Sequence, residues 1–90
     1  MAWRIVVQPN GKFARFSEIV DHFTFYNATY DEALADCRDD LGRLEAEEKV
    51  QRGIDAGLAR FEEALESIEI VHGKDEADKY RKMLTEKEPP

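Results

Sequence analysis

The spacing of hydrophobic and polar positions changes at about residue 29 of this 90-residue chain. Before it they alternate one by one, as on a strand with one buried face, and after it they recur every three or four residues, as on amphipathic helices. Trp3, Ile5 and Val7 alternate in this way. The Pro-Asn-Gly sequence at residues 9–11 is a turn signal, because Asn and Gly tolerate positive φ. The pattern therefore predicts a β-hairpin whose second strand covers residues 12–16.

Residues 22–27 read His-Phe-Thr-Phe-Tyr-Asn and are rich in β-forming side chains. They predict a third strand or an extended arm. Residues 17–21 form either a bend or a continuation of the second strand.

The first helix has a clear start in the sequence. Thr29 and Glu32 have the spacing of a capping box, in which each side chain satisfies the backbone N–H of the other residue. Leu34 and Cys37 then begin an apolar stripe. We expect this helix to end at Gly42, where a left-handed conformation costs least.

Residues 44–72 carry the longest periodic pattern of the chain. Gly53 and Gly57 interrupt it, and each costs about 1 kcal/mol relative to Ala inside a helix. They mark either a close helix crossing or a break into two helices, and we favour one helix. The apolar seam consists of Val50, Ile54, Leu58 (or Gly57), Phe61, Leu65, Ile68 and His72. After Gly73, which can end this segment, Asp75 can cap a last short helix that buries Ala77, Tyr80 and Leu84.

The predicted fold class is α+β, with an N-terminal antiparallel β-hairpin or three-stranded sheet packed by two to three C-terminal α-helices. We expect a single domain over residues 1–86, made of an aromatic β head (1–28) and acidic helices (29–86). Residues 87–90 read as a frayed tail. We expect no membrane span and no secretory signal, and a single cysteine favours a reducing, cytoplasmic location.

Aromatic residues are concentrated in the first thirty residues, which hold seven of the nine in the chain, six of them in the β head. They occupy positions of both parities, so a regular sheet would carry rings on both faces. We expect helices to cover one face only, so that the other face is exposed, paired with a second copy or docked on a partner. A β-bulge near residues 16–17 that returns all the rings to one core is the alternative. The possible sheet interface consists of Phe13, Phe16, Phe25 and Tyr26.

The formal charge of −7 comes from the middle of the chain. Residues 31–69 hold thirteen acidic against five basic residues, a net charge of −8. Such a field opposes binding to phosphates or anionic membranes and favours a basic partner. A highly soluble helical surface with no partner is the alternative. The predicted solvent face includes Asp36, Asp39, Asp40, Glu45, Glu48, Glu62, Glu63 and Glu66.

The sequence contains no recognisable pattern for catalysis, metal binding or a cofactor. Cys37 lies on an apolar stripe, which indicates a buried, inert thiol. His22 and His72 are isolated from each other in sequence, and His72 suits a helix C-terminus. No zinc, calcium, phosphate or dinucleotide fingerprint is present. We therefore expect no catalytic residues, no metal and no cofactor.

These observations favour a non-enzymatic protein-interaction module whose acidic helices bind a basic protein partner. One version is a small inhibitor that occupies a nucleic-acid-binding groove, as phage-encoded anti-CRISPR proteins and other DNA mimics do. That step rests on size, acidity and the lack of catalytic patterns.

Two alternatives remain open. The layout of residues 3–41, with its helix start Thr-Tyr-Asp-Glu-Ala-Leu at residues 29–34, resembles the opening of HicB-type antitoxins, although three helical segments follow where that family returns to its sheet. This resemblance implies a regulatory homodimer that acts through its aromatic sheet. A single-strand nucleic-acid binder is the third hypothesis, because basic and aromatic residues interleave in the head, but the net charge disfavours direct nucleic-acid binding. The interleaved residues are Trp3, Arg4, Lys12, Phe13, Arg15 and Phe16.

Overall fold

A computed structural model of the protein describes residues 3–86. The predicted frayed tail, residues 87–90, lies outside the described residues. Three strands come first, followed by four helices, and the predicted α+β class is confirmed. The strands are β1 (Trp3–Val7), β2 (Phe13–Ser17) and β3 (His22–Ala28). The helices are α1 (Tyr30–Leu41), α2 (Arg43–Ala56), α3 (Ala59–His72) and α4 (Lys74–Thr85).

The strands form one antiparallel sheet in the order β1-β2-β3, so the predicted hairpin and third strand are both present. At the hairpin turn the Gln8 N–H donates to Lys12 O at 2.9 Å, and Gly11 takes a φ of +83°. The Asn10 side chain accepts from Lys12 N at 3.0 Å and closes the turn. Residues 18–21 are a turn between β2 and β3, which settles the choice between a bend and a longer second strand.

Helices cover both faces of the sheet, which corrects the expectation that they cover one. Ile5 and Phe13 are buried on the face that α1 and α2 cover. Val6 and Phe16 are buried on the opposite face, beneath α3 and α4. The protein therefore has three layers and two hydrophobic clusters, with the sheet in the middle layer. The first cluster contains Ile5, Phe13, Ala28, Ala33, Cys37, Ala46 and Val50. The second contains Val6, Ala14, Phe16, Phe23, Phe61, Ala64, Leu65, Ile68, Ala77, Tyr80 and Leu84.

A bulge in β3 divides the aromatic rings between the two clusters. Phe25 pairs with Arg15, and Phe23 pairs with Phe16, so β3 holds an extra residue at Thr24, and a second register shift lies between the Arg15–Phe25 and Phe13–Ala28 pairs. Residues two apart in a regular strand lie on the same face of the sheet. An extra residue inserted by a bulge places them on opposite faces. Phe23 consequently lies in the second cluster, whereas Phe25 packs against the first. The expected bulge that gathers all the rings in one core is wrong, because the bulge separates them.

Residues 43–72 form two helices, so the favoured single helix is wrong. Gly57 ends α2 with φ +61° and ψ −146°, a conformation available almost only to Gly. The break has a physical cause: α2 packs on one face of the sheet and α3 on the other, and the chain must pass around the β1 edge between them. At that edge Arg60 donates to Ile5 O at 3.3 Å.

The sequence predicts most of the observed helix ends, but not the start of α4. The Thr29–Glu32 capping box is present, with hydrogen bonds of 2.9 and 3.2 Å. Gly42 and Gly73 end their helices as expected. Asp75 lies in the first turn of α4 and does not cap it, because α4 begins one residue earlier, at Lys74. Its carboxylate still complements the positive end of the helix dipole.

Candidate protein-interaction surface

A groove of about 230 Å³ between α3 and α4 has a mostly acidic lining. Glu62, Glu66 and Glu69 lie at i, i+4 and i+7 on α3, a spacing that places them along one side of the helix. Asp78 contributes a fourth carboxylate from α4, and Arg81 is the one basic residue of the lining. We call this surface the acidic groove; its complete lining is Glu62, Leu65, Glu66, Glu69, Ala77, Asp78 and Arg81.

Arg81 neutralises one of the four carboxylates. Its guanidinium donates to both oxygens of Glu62, at 2.8 and 2.7 Å, in a bidentate pair. These bonds lower the pKa of Glu62 and raise the pKa of Arg81, so both groups stay charged. Within residues 3–86, Glu66, Glu69 and Asp78 form no ion pair. The acidic groove therefore keeps three carboxylates that a partner's cations could bind.

The eight acidic residues expected on the solvent face lie on opposite sides of the molecule. Five belong to α1 and α2, and three belong to α3. Because these helices cover opposite faces of the sheet, the eight residues do not form one continuous surface. The α1–α2 side carries Asp36, Asp39, Asp40, Glu45 and Glu48, and the α3–α4 side carries Glu62, Glu63 and Glu66.

Half of this set is already paired within the chain. Asp36 and Asp40 both accept from Arg15, at 2.7 and 3.1 Å. Glu63 lies 3.6 Å from Arg4, and Glu62 binds Arg81. In the described part of the chain the other four make no ion pair: Asp39, Glu45, Glu48 and Glu66.

The α1–α2 side has a groove of its own, of about 290 Å³. Its charged lining consists of Glu45, Glu48, Lys49 and Arg52. Two acidic residues and two basic residues cancel, so the lining has no net charge. A cationic partner is attracted more strongly to the acidic groove than to this one.

Two carboxylates of the acidic groove were missed by the sequence analysis. Glu69 could have been found, because it lies three residues after Glu66 and continues the same stripe. Asp78 had no sequence signal, since only the packing of α4 on α3 brings it to the groove.

The aromatic residues expected at a sheet interface are mostly inside the chain. Phe13 is 8% exposed and Phe16 is 4% exposed. Phe25 is half-buried and packs against the first cluster. Tyr26 is exposed, and its ring meets Tyr80 with the centroids 5.9 Å apart. Since helices cover both faces, the open aromatic face on which the homodimer hypothesis rested is absent from residues 3–86.

The basic residues of the β head also have partners in the chain. The Arg15 guanidinium lies 3.9 Å from the centre of the Trp3 ring and binds two carboxylates. Arg4 pairs with Glu18 and Glu63. These contacts occupy the charges that a single-strand nucleic-acid platform would need.

The thiol of Cys37 and the imidazoles of His22 and His72 are held in contacts that support the fold. Cys37 is fully buried, and burial raises the pKa of its thiol to about 11. His72 bonds to Val20 O at 3.1 Å, a contact with another segment and not with the end of its own helix. His22 contacts the Tyr80 hydroxyl and lies 5.2 Å, ring centre to ring centre, from His72. Residues 3–86 contain no group of three or more side chains arranged to hold a metal ion.

No protein-family model, curated protein or solved structure matches this chain. No helix in residues 3–86 has the length and apolar character needed to cross a bilayer. Any function has to be argued from the residues themselves.

Proposed function

We propose that the protein is a non-enzymatic interaction module whose acidic groove binds a basic, nucleic-acid-binding surface of a protein partner. The observation that carries this proposal is the set of three carboxylates, Glu66, Glu69 and Asp78, that form no ion pair within residues 3–86, although the charge of Arg81 acts on Glu69 and Asp78 from nearby. In this reading the chain acts as a DNA mimic and inhibits its partner by occupying the place of phosphates, as phage-encoded anti-CRISPR proteins do.

The physical basis of the proposal is electrostatic. Lys and Arg side chains that bind phosphates also bind carboxylates, and Arg does so in a bidentate fork. The Arg81–Glu62 pair inside the groove is an example of that geometry within the chain. The net charge of −7 adds long-range attraction, which raises the association rate with a basic partner at low salt.

No catalysis is part of the proposal. A nucleophilic cysteine needs thiolate character and access, and burial denies both to Cys37. His22 and His72 contact each other, Tyr80 and a backbone carbonyl, which gives them a packing role. A cytoplasmic location stays a prediction that rests on the single cysteine.

The experiment is affinity capture from the organism that encodes the chain, with three baits in parallel. The baits are the unaltered protein, a groove variant and a control variant, each tested at low and at high salt. The groove variant is Glu66→Gln/Glu69→Gln/Asp78→Asn, and the control variant on the α1–α2 side is Asp39→Asn/Glu45→Gln/Glu48→Gln.

Both variants remove three negative charges at positions that make no ion pair within residues 3–86, so their net charge and expected stability are the same. The proposal expects a basic nucleic-acid-binding protein that the unaltered and control baits retain at low salt and that the groove variant loses. A partner that all three baits retain at high salt would contradict it.

A further inference from the structure

Four exposed aliphatic side chains lie near the place where the β2–β3 turn meets the last turn of α3. A hydrogen bond of 3.1 Å between His72 Nε2 and Val20 O joins the two segments. The turn contributes Ile19 and Val20, which are 77% and 53% exposed, and α3 contributes Ile70 and Val71, which are 78% and 54% exposed. We call these four residues the apolar tip.

Such a cluster differs from ordinary surface hydrophobicity. Single exposed apolar residues are normal on soluble proteins, and Leu44, which is 76% exposed at the start of α2, is an example. Here two sequence-adjacent pairs lie on segments that the His72–Val20 hydrogen bond holds side by side, and exposed apolar residues on neighbouring segments typically mark an interaction site.

The charges beside the apolar tip are mostly acidic, with Arg4, which pairs with Glu18, and Lys74, which begins α4, as the nearby cations. Glu18 and Asp21 flank the aliphatic pair in the turn, and Glu66 and Glu69 precede Ile70 on α3. Glu66 and Glu69 also line the acidic groove, and Glu69 directly precedes Ile70 of the tip in α3. An apolar centre with a charged rim is the usual organisation of a protein–protein interface.

We propose that the apolar tip is the anchor of the interface and inserts into an apolar pocket bordered by Lys and Arg side chains on the partner. This inference rests on the proposed function and adds the chemistry of the partner's binding site. A second copy fits the tip less well, because it would bring Asp21, Glu66 and Glu69 against their own counterparts. An anionic membrane is disfavoured by the same carboxylates.

The test compares two defined probes that carry the same number of Lys residues. One is an amphipathic helical peptide that presents a row of Leu bordered by Lys, and the other is an oligolysine. Each is titrated into the full-length, isotope-labelled protein, and the chemical shifts of the backbone amides report both the affinity and the place of binding.

Two variants test whether binding of the amphipathic peptide depends on the apolar tip or on charge alone. Ile70→Ser/Val71→Ser removes half of the apolar tip, and it should leave the fold intact because both side chains are exposed and Ser has a similar helix propensity. Leu44→Ser is the matched control, since Leu44 has nearly the same exposure as Ile70 and lies on another helix.

We expect the unaltered protein to bind the amphipathic peptide at least about tenfold more tightly than oligolysine, with shifts at Ile19, Val20 and the end of α3. The Ile70→Ser/Val71→Ser variant should lose this preference, and Leu44→Ser should keep it.

Equal affinity for the two probes would overturn the apolar anchor while leaving the acidic groove in place. If neither probe binds, both the proposed function and the apolar anchor are overturned. Sedimentation of the unaltered protein as a dimer that Ile70→Ser/Val71→Ser converts to a monomer would assign the apolar tip to a second copy and would also overturn the proposal.

Discussion

Gly53 of α2 lies so close to Ile5 of β1 that a Cβ atom at Gly53 would stand 2.8 Å from the Ile5 carbonyl oxygen. This contact explains why the helix keeps a glycine in its interior, where Ala would favour helix formation by about 1 kcal/mol. The glycine brings α2 directly against the strand at the edge where the chain passes from one face of the sheet to the other.

Gly53→Ala should therefore destabilise the protein in spite of its better helix propensity. The added methyl group meets backbone, which cannot rotate away, and overpacking of this kind typically costs about 1–3 kcal/mol. Urea unfolding measures the change. Ala35→Gly, at an exposed position of α1, is the control for propensity alone and should cost no more than about 1 kcal/mol. An unfolding free energy for Gly53→Ala at or above that of the unaltered protein would refute the close contact.

Phe61 is the largest fully buried side chain and lies in the cluster beneath α3 and α4. Phe61→Ala should cost about 3–5 kcal/mol, a large part of the stability of a small domain. Thermal and urea unfolding would check this, with Ile70→Ala as an exposed control on the same helix. Melting within a degree or two of the unaltered protein would mean that Phe61 is not in a core.

Gln8 is a buried polar residue that joins three distant segments. Its Oε1 accepts from Asn27 N at 2.7 Å, and its Nε2 donates to Leu84 O at 3.2 Å at the end of α4. Gln8→Leu leaves those groups without partners, and each buried unsatisfied group costs about 1–3 kcal/mol. Gln51→Leu, at an exposed position of α2, should have little effect under the same urea titration. Equal effects of the two substitutions would count against a structural role for Gln8.

Cys37 should be unreactive in the folded protein at pH 8, because burial raises the pKa of its thiol from 9.0 to about 11. A thiol reagent should label it only when the protein unfolds. Since the folded pKa is the higher one, the unfolded chain loses its proton first, and stability should fall as pH rises from 9 towards 11. Cys37→Ala should lack this alkaline component. Labelling of the folded protein at the rate of a free cysteine would contradict the buried position.

Local features of the fold could be predicted from the sequence, and long-range ones could not. The Thr29–Glu32 capping box involves residues three apart, so it is determined within one helical turn. The coverage of both sheet faces depends on the bulge at Thr24 and the break at Gly57, and both exist because of packing between distant segments. The two glycines in the helical pattern marked where a break or a close contact would occur. The pattern could not show that Gly57 is the break and Gly53 the close contact.

The same limit applies to the candidate site. The excess of acidic residues in α1, α2 and α3 is evident from composition, and Glu66 was identified from its spacing. Which carboxylates are neutralised depends on contacts such as Arg15–Asp36, whose partners are 21 residues apart in sequence. Asp78 joins Glu66 only through the packing of α4 on α3.

The central claim is that the acidic groove, and not the acidic residues in general, binds the partner. Isothermal titration of the captured partner with the groove variant Glu66→Gln/Glu69→Gln/Asp78→Asn and with the α1–α2 control variant tests it most directly, because the two have the same net charge. We predict a loss of at least about tenfold in Kd and a weaker salt dependence for the groove variant, and a change within about twofold for the control. Equal losses in the two variants, or a larger loss in the control, would contradict the claim.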